Sequence, residues 1–218
     1  MPNYDGARLC GVEDTLGASG AMCRWPSPDV SWTIAANLPG LSGESFKQVA
    51  ELAWSWWSSI CGIRPRYVTS SQNANVLIGI QTIGPGGVLA DSELPCGVSM
   101  SSQLRQRYDS AESWVISENP PSNKIDIARV ICHELGHVIG IPHINTGNLM
   151  APIYSTSIRM PKSGDIAEAV ARYGLPVPMP NPTPPPSVPT PAAYEELGAL
   201  LYKDGQLFIR AKGIIKQL

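Results

Sequence analysis

The sequence predicts an α+β fold, a sheet with helices packed against it. Three observations carry that expectation: strand-like alternation early in the chain, apolar residues at helical spacing near 44–60, 123–139 and 163–174, and turn or capping residues at the ends of those segments.

After a short opening segment, 1–24, the first strand is VSWTIA, in which Val30, Trp32 and Ile34 alternate as one buried face. Ser42 then caps a helix over about 44–60, with Phe46, Val49, Ala53, Trp56, Trp57 and Ile60 as its core stripe. Strands are expected at 66–69 and 75–80. GPGGVLA at 84–90 runs into an irregular, glycine-punctuated edge, and SWVIS at 113–117 reads as a further strand. A second helix is expected over about 123–139 with Asp126 in its first turn. A third starts at Ser163, carries Asp165 near its positive end and stops at Gly174. Beyond it, PVPMPNPTPPPSVPTP at 176–191 is an extended proline-rich spacer between a body at 25–175 and a tail at 192–218.

Composition excludes several classes. Net charge is −2 with no basic run, so nucleic acid is not an expected partner. No apolar stretch approaches the ~20 residues of a membrane-spanning helix. The opening MPNYDGARLCGVED lacks the apolar core of a secretory signal, which leaves localisation open. The cysteines, Cys10, Cys23, Cys61, Cys96 and Cys132, are odd in number, so at least one is unpaired, and none lies in a CxxC pair.

All three histidines fall within HELGHVIGIPH at 133–143. On a helix, His133 and His137 project from one face, close enough to share a metal. Glu134 neighbours the first ligand and sits where a general base reaches an attacking water. Gly140 permits the left-handed turn that ends the helix, and Pro142 opposes its resumption, so the chain returns His143 to the other two. Three imidazoles with one open position favour a catalytic zinc. Cys132 stands about 100° around the helix from His133 and reads as core.

Met150, in NLMAPIY, extends this pattern to one that resembles the metzincin zinc peptidases, HExxHxxGxxH followed by a Met-turn. Within that group the chain is similar to the matrixin catalytic domain. GPGGVLA resembles the approach to the substrate-binding edge strand, DSAESW at 109–114 has the D-x-x-E-x-W spacing, MAPIY at 150–154 resembles the pocket wall, and DIAEAVARYG at 165–174 resembles the closing helix. The resemblance implies a twisted mixed sheet with three main helices, zinc in the active-site cleft, and hydrolysis of peptide bonds in protein or peptide substrates. His133, His137 and His143 would hold the zinc, with Glu134 as general base. Leu89 and Ala90 would hold substrate as an added strand. Pro152, Ile153 and Tyr154 would line the pocket for an apolar side chain after the cut. It also implies an extracellular or exported location.

The sequence departs from the family at several positions. Where animal matrixins carry histidines for a second, structural zinc there are none, Asp91 standing at one such position, so no second zinc is expected. Asp109 and Glu112 match two carboxylates of the family's calcium site, to which carbonyls of Gly84, Gly86 and Val88 would add, but Ile83 replaces another; solvated acids are the alternative. The loop at 155–164 is short, and Ile144 stands where serine is usual.

RLCGVED at 8–14 resembles the latency motif of matrixins, whose cysteine occupies the fourth zinc position. Cys10 is therefore a candidate inhibitory ligand, although Arg8 stands one place early and Glu13 replaces a proline. A Cys10–Cys23 disulfide and a free inert thiol are the competing readings.

The tail begins with a helical turn and continues as a hairpin around Asp204 and Gly205, a tether that needs a docking surface on the body, on another copy or on a partner, with a structureless end as the alternative. The rival to the peptidase reading is an assembly or binding protein attached through 192–218, with catalysis incidental or blocked. Retention of Glu134 favours the enzyme.

Overall fold

The computed structural model describes residues 9–11, 22–84 and 87–176, with three strands beyond them. The chain divides into two units, Met1–Val177 and Pro178–Leu218.

In the first unit the sheet contains β1 (Leu9–Cys10), β2 (Asp29–Ile34), β3 (Arg64–Tyr67), β4 (Val76–Gln81), β5 (Val88–Ser92) and β6 (Leu104–Asp109), in the order β1-β5-β6-β4-β2-β3. It is mixed. β5 runs antiparallel to β6, while the other neighbouring pairs are parallel. A small parallel pair joins β7 (Trp114–Val115) to β8 (Ile125–Asp126). Three helices complete the unit: α1 (Gly43–Ile60), α2 (Ile127–Val138) and α3 (Ser163–Tyr173).

α1 starts where Ser42 accepts the N–H of Ser45, and it buries Phe46, Val49, Ala53, Trp54 and Trp57. Trp57 joins the two long helices, its indole N–H donating to the Cys132 carbonyl at 2.9 Å inside the apolar contact. Fully burying a large side chain of this kind contributes about 1.5–3 kcal/mol. Trp32 of β2 meets Trp54 on the other side, ring centroids 6.4 Å apart, so one aromatic layer seats α1 on the sheet and α2 on α1. α2 is buried along its whole length, a placement that fixes every side chain it carries.

Several boundaries differ from the sequence expectation. α2 begins at Ile127 because residues 125–126 pair with β7, and Asp126 becomes its cap, accepting the Ala128 N–H. The strand expected at 66–69 lies at Arg64–Tyr67, where its register sets Arg64 against Asp29 and an ion pair forms at 2.6 Å. The strand at 113–117 shrinks to two residues. β6 escapes the apolar pattern altogether because its buried face reads Leu104, Gln106, Tyr108, with an amide in the middle. The Cys10–Cys23 pairing is also overturned: Cys23 is bonded to Cys96 across a separation of 73 residues, and Cys10 is not in a disulfide.

In the second unit, β9 (Leu200–Lys203), β10 (Gln206–Ala211) and β11 (Ile214–Gln217) form an antiparallel sheet in the order β11-β10-β9. Gln206 faces Lys203, so β9 and β10 flank the expected turn; Asp204, Gly205 and the helical turn expected near 192 lie outside the described residues. Among the described residues no helix is long and apolar enough to cross a membrane.

Candidate active site

Burial of α2 puts His133, Glu134 and His137 against the sheet, each at most 8% exposed. His133 Nδ1 lies 2.7 Å from the Leu149 carbonyl and His137 Nδ1 lies 2.8 Å from that of Ile141. A carbonyl only accepts, so both protons sit on Nδ1 and both Nε2 lone pairs are left to point at a common place. There the two Nε2 atoms stand 3.1 Å apart. With no proton between them, two lone pairs at that distance repel unless a cation lies between. His143 joins from the next loop, its ring 4.7 Å from that of His137. One ligand atom from each histidine and the sulfur of Cys10 all lie within 4.8 Å of one another. Neutral imidazoles and a thiol in this arrangement have the chemistry of a zinc site.

The electrostatics keep His133 and His137 neutral. Burial pulls the His133 pKa down to about 4, helped by the charge of His143 and opposed by the Leu149 carbonyl. Burial likewise holds His137 well below its usual value, with His133 and His143 adding to the effect. Glu134 moves the other way: burial pushes it up to about 8, against the hydroxyl of Ser92 and the thiol of Cys10. Cys132 is core, as expected, and burial holds its thiol well above the usual range.

The loop after α2 is closed at Gly140, whose φ is +96° and whose N–H donates to the His137 carbonyl. A Cβ there would lie 2.1 Å from the Cys23 carbonyl oxygen, so conformation and space both demand glycine. Met150 is fully buried beneath the cluster. Its sulfur would stand 2.2 Å from a Cβ at Gly136, a glycine whose role a motif reading does not reveal. Asp165 was readable only as a helix-start acid; it is buried, and its carboxylate takes the N–H groups of Leu149 and Met150. Ser92 and Arg129, also unread in the sequence, face Glu134 and line the adjoining cleft respectively.

That cleft has an empty volume of about 400 Å³, open solvent included. Leu89, Pro152, Ile153 and Tyr154 line it beside His133 and Glu134. Ala90 lies off the cleft, on the edge strand, with its carbonyl turned to the N-terminal segment.

That segment occupies the edge. β1 pairs parallel with β5, Gly11 N–H donates to the Ala90 carbonyl at 2.7 Å, and Cys10 N–H donates to the Pro152 carbonyl at 3.0 Å. Gly11 lies so close to β5 that a Cβ would meet Val88 Cγ1 at 2.9 Å. The thiol of Cys10 is thereby delivered to 3.3 Å from His137 Nε2.

Asp109 and Glu112 do not join the histidine cluster. Asp109 is 3% exposed, so it is not a solvated acid; its Oδ1 accepts the N–H groups of Ile83 and Ala111, and its carbonyl accepts the indole N–H of Trp114 at 2.8 Å. Asp91 pairs with Arg107 at 2.7 Å. Among the described residues, these acids belong to no group of three or more His, Cys, Asp or Glu side chains suited to a metal.

The matrixin family model matches residues 24–174. Metalloendoproteinase 1 of Glycine max is 27% identical over 146 residues, covering 61% of this chain and 45% of that protein. Interstitial collagenase of Bos taurus is 29% identical over 179 residues, covering 76% and 36%. Matrix metalloproteinase-25 of Mus musculus is 26% identical over 175 residues, covering 70% and 28%. The chain thus spans less than half the length of each of these relatives.

Proposed function

This chain belongs to the matrixin family, and from that premise we propose that it is a zinc-dependent endopeptidase held latent by Cys10. The observation that carries the reading is the convergence of Cys10, His133, His137 and His143 within 4.8 Å beside the buried Glu134.

His133, His137 and His143 would hold the zinc, the tautomers of the first two set by the Leu149 and Ile141 carbonyls behind their rings. When bound, zinc supplies a Lewis acid for the scissile carbonyl and makes water a nucleophile near neutral pH. Glu134 takes the proton of the attacking water on its carboxylate and returns it to the leaving nitrogen. Substrate lies along Leu89 and Ala90 as an added strand and places the side chain after the cut between Leu89 and the wall formed by Pro152, Ile153 and Tyr154.

Residues 9–11 already use the same edge, so Cys10 and a substrate exclude one another. A thiolate is a stronger zinc ligand than water, so Cys10 would take the position of the nucleophile. Asp109 staples its turn through the N–H groups of Ile83 and Ala111, and together with Glu112 it would supply the carboxylates of a calcium site completed by neighbouring carbonyls. An exported location agrees with the Cys23–Cys96 bond, which persists in oxidising compartments.

The test is cleavage of a proteome-derived peptide library by zinc-loaded full chain, Cys10→Ala and Glu134→Ala, mapped by mass spectrometry. Cys10→Ala should cut about tenfold faster than the parent or more, since the competing thiol is tethered, and Glu134→Ala should not cut. Equal rates for parent and Cys10→Ala would remove the latch. No cutting by Cys10→Ala carrying one zinc would remove the endopeptidase.

A further inference from the structure

The sheet face beneath α2 is polar where a core is ordinarily apolar. β5 and β6 run antiparallel with Ala90 opposite Tyr108 and Ser92 opposite Gln106, so these four residues share one face. Asp91 and Arg107 alternate to the other face and pair there. The first face is the one that α2 packs against. Ser92 is 7% exposed, and Gln106 and Tyr108 are fully buried. Glu134 of α2, 1% exposed, comes down on this face beside the hydroxyl of Ser92.

Both carboxylate oxygens of Glu134, the hydroxyl of Ser92 and both ends of the Gln106 amide have no hydrogen-bond partner among the described residues. Buried polar atoms are nearly always paired, so a group of exceptions around one side chain calls for a role. Stability does not supply it. Apolar side chains of similar shape at positions 92 and 106 would remove a desolvation penalty and leave the fold as stable or more so.

Resting on the endopeptidase reading for the role of Glu134, we propose that Ser92 is a positioning residue for that carboxylate and that Gln106 holds Ser92 in the required orientation. The chemistry of the three side chains fits one order. A carboxylate only accepts, so the Ser92 hydroxyl gives its proton to Glu134. The Ser92 oxygen is then left to accept the amide N–H of Gln106, directly across the strand pair. Both bonds form by rotation of the side chains between staggered positions, with the backbone fixed. One oxygen of Glu134 is thereby held from the sheet side, and the other is turned toward the attacking water. A base whose orientation is set in advance loses nothing to reorientation when the proton moves.

The test uses the full chain, zinc-loaded, with Cys10→Ala to clear the edge, and adds Ser92→Ala, Ser92→Thr, Gln106→Met or Tyr108→Phe. Peptide turnover gives kcat and KM separately, and urea unfolding gives stability. Ser92→Ala and Gln106→Met should keep one zinc and be at least as stable as the parent. Their kcat should fall about tenfold with KM little changed, a part of the roughly 10²–10⁴-fold that a positioned base supplies. Ser92→Thr keeps the hydroxyl and should recover most of kcat. Tyr108→Phe removes another unanswered hydroxyl from the same face and should leave kcat within about twofold. A crystal structure of the zinc-loaded Cys10→Ala protein should place Ser92 Oγ about 2.7 Å from a Glu134 oxygen. A hydroxyl turned away from Glu134 there overturns the inference. So does a loss of stability in Ser92→Ala that accompanies its loss of kcat, or an equal loss of kcat in Tyr108→Phe. If Gln106→Met does not fold, the two Ser92 variants decide. Turnover that Ser92→Ala leaves intact sinks this inference alone, whereas no turnover by the Cys10→Ala protein itself sinks the endopeptidase reading and this inference with it.

Discussion

Asp165, near the start of α3, holds Met150 in place. Its Oδ1 accepts the Met150 N–H at 3.0 Å, and its Oδ2 accepts those of Leu149 at 2.8 Å and Lys162 at 2.7 Å. The Leu149 carbonyl then takes the proton of His133 Nδ1. A carboxylate on one helix therefore orients a histidine on another through two residues of the loop between them.

Replacing Asp165 should loosen the fold and the metal site together. Asp165→Ala leaves three N–H groups without their acceptor and should cost about 3 kcal/mol, since bonds to a buried carboxylate are individually worth ~1.5–3 and do not add. Zinc affinity should fall about 10- to 100-fold, the usual effect of losing an outer support. Urea unfolding and chelator competition measure the two, and Asp165→Asn should recover part of each. Unchanged zinc affinity in both variants would cut the proposed link from Asp165 to His133.

The pair also separates what was legible in the sequence from what was not. His133 and His137 share a face because α-helical geometry is local, and Gly140 announces the end of that helix for the same reason. β6 and Asp165 depend on distant partners. Gln106 is buried by its place in the sheet, and Asp165 by a loop 15 residues away in the chain. Arg129 is the sharpest case: four residues before His133 on α2 it reads as an ordinary helix arginine, and only packing brings it into the lining of a cleft. Cys23 looks like a short-range partner for Cys10, yet the fold carries it to Cys96.

Gly140→Ala tests the close approach behind His143. Its φ of +96° strains any side chain, and the Cβ would overlap the Cys23 carbonyl oxygen at 2.1 Å. The expected loss is at least ~2 kcal/mol with weakened zinc binding. Gly147→Ala is the control: φ is +92° there, but nothing lies within 4 Å, so strain alone should cost about 1 kcal/mol. Equal losses in the two variants would mean that the contact with Cys23 is dispensable.

Removing the disulfide should weaken the fold without dismantling the metal site. Closing a loop of 73 residues restricts the unfolded chain by about 4 kcal/mol in the chain-entropy treatment. The Cys23→Ser, Cys96→Ser double variant should lose roughly 2–4 kcal/mol in guanidinium unfolding and still bind one zinc, because His133, His137 and His143 are held by α2 and the following loop. Loss of zinc binding in a variant that remains folded would contradict this.

The pH dependence of the chelator-treated protein should show the buried ligands directly. His133 falls from 6.5 to about 4, and His137 lies well below 6.5, both through burial. The unfolded chain therefore takes up protons that the folded chain refuses, and stability is lost as pH drops from about 6.5 toward 4; for His133 alone the shift corresponds to roughly 3 kcal/mol. Glu134, raised by burial from 4.5 to about 8, has the opposite slope, because the folded chain keeps a proton that the unfolded chain releases. Two histidines outweigh one carboxylate below about 6.5, and Glu134 acts alone above it, so the metal-free protein should be most stable near that value. Zinc should change the shape as well as the height. It cannot be held by protonated imidazoles, and in the folded chain His133 takes its proton only near 4, so the stabilisation by zinc should persist through pH 6.5 and fade toward 4, while its charge should favour the Glu134 carboxylate and flatten the alkaline decline. Urea unfolding from pH 4.5 to 8.5, with chelator and with zinc, measures both curves. A metal-free curve that stays level below 6.5 would mean that the histidines are not desolvated in the folded chain.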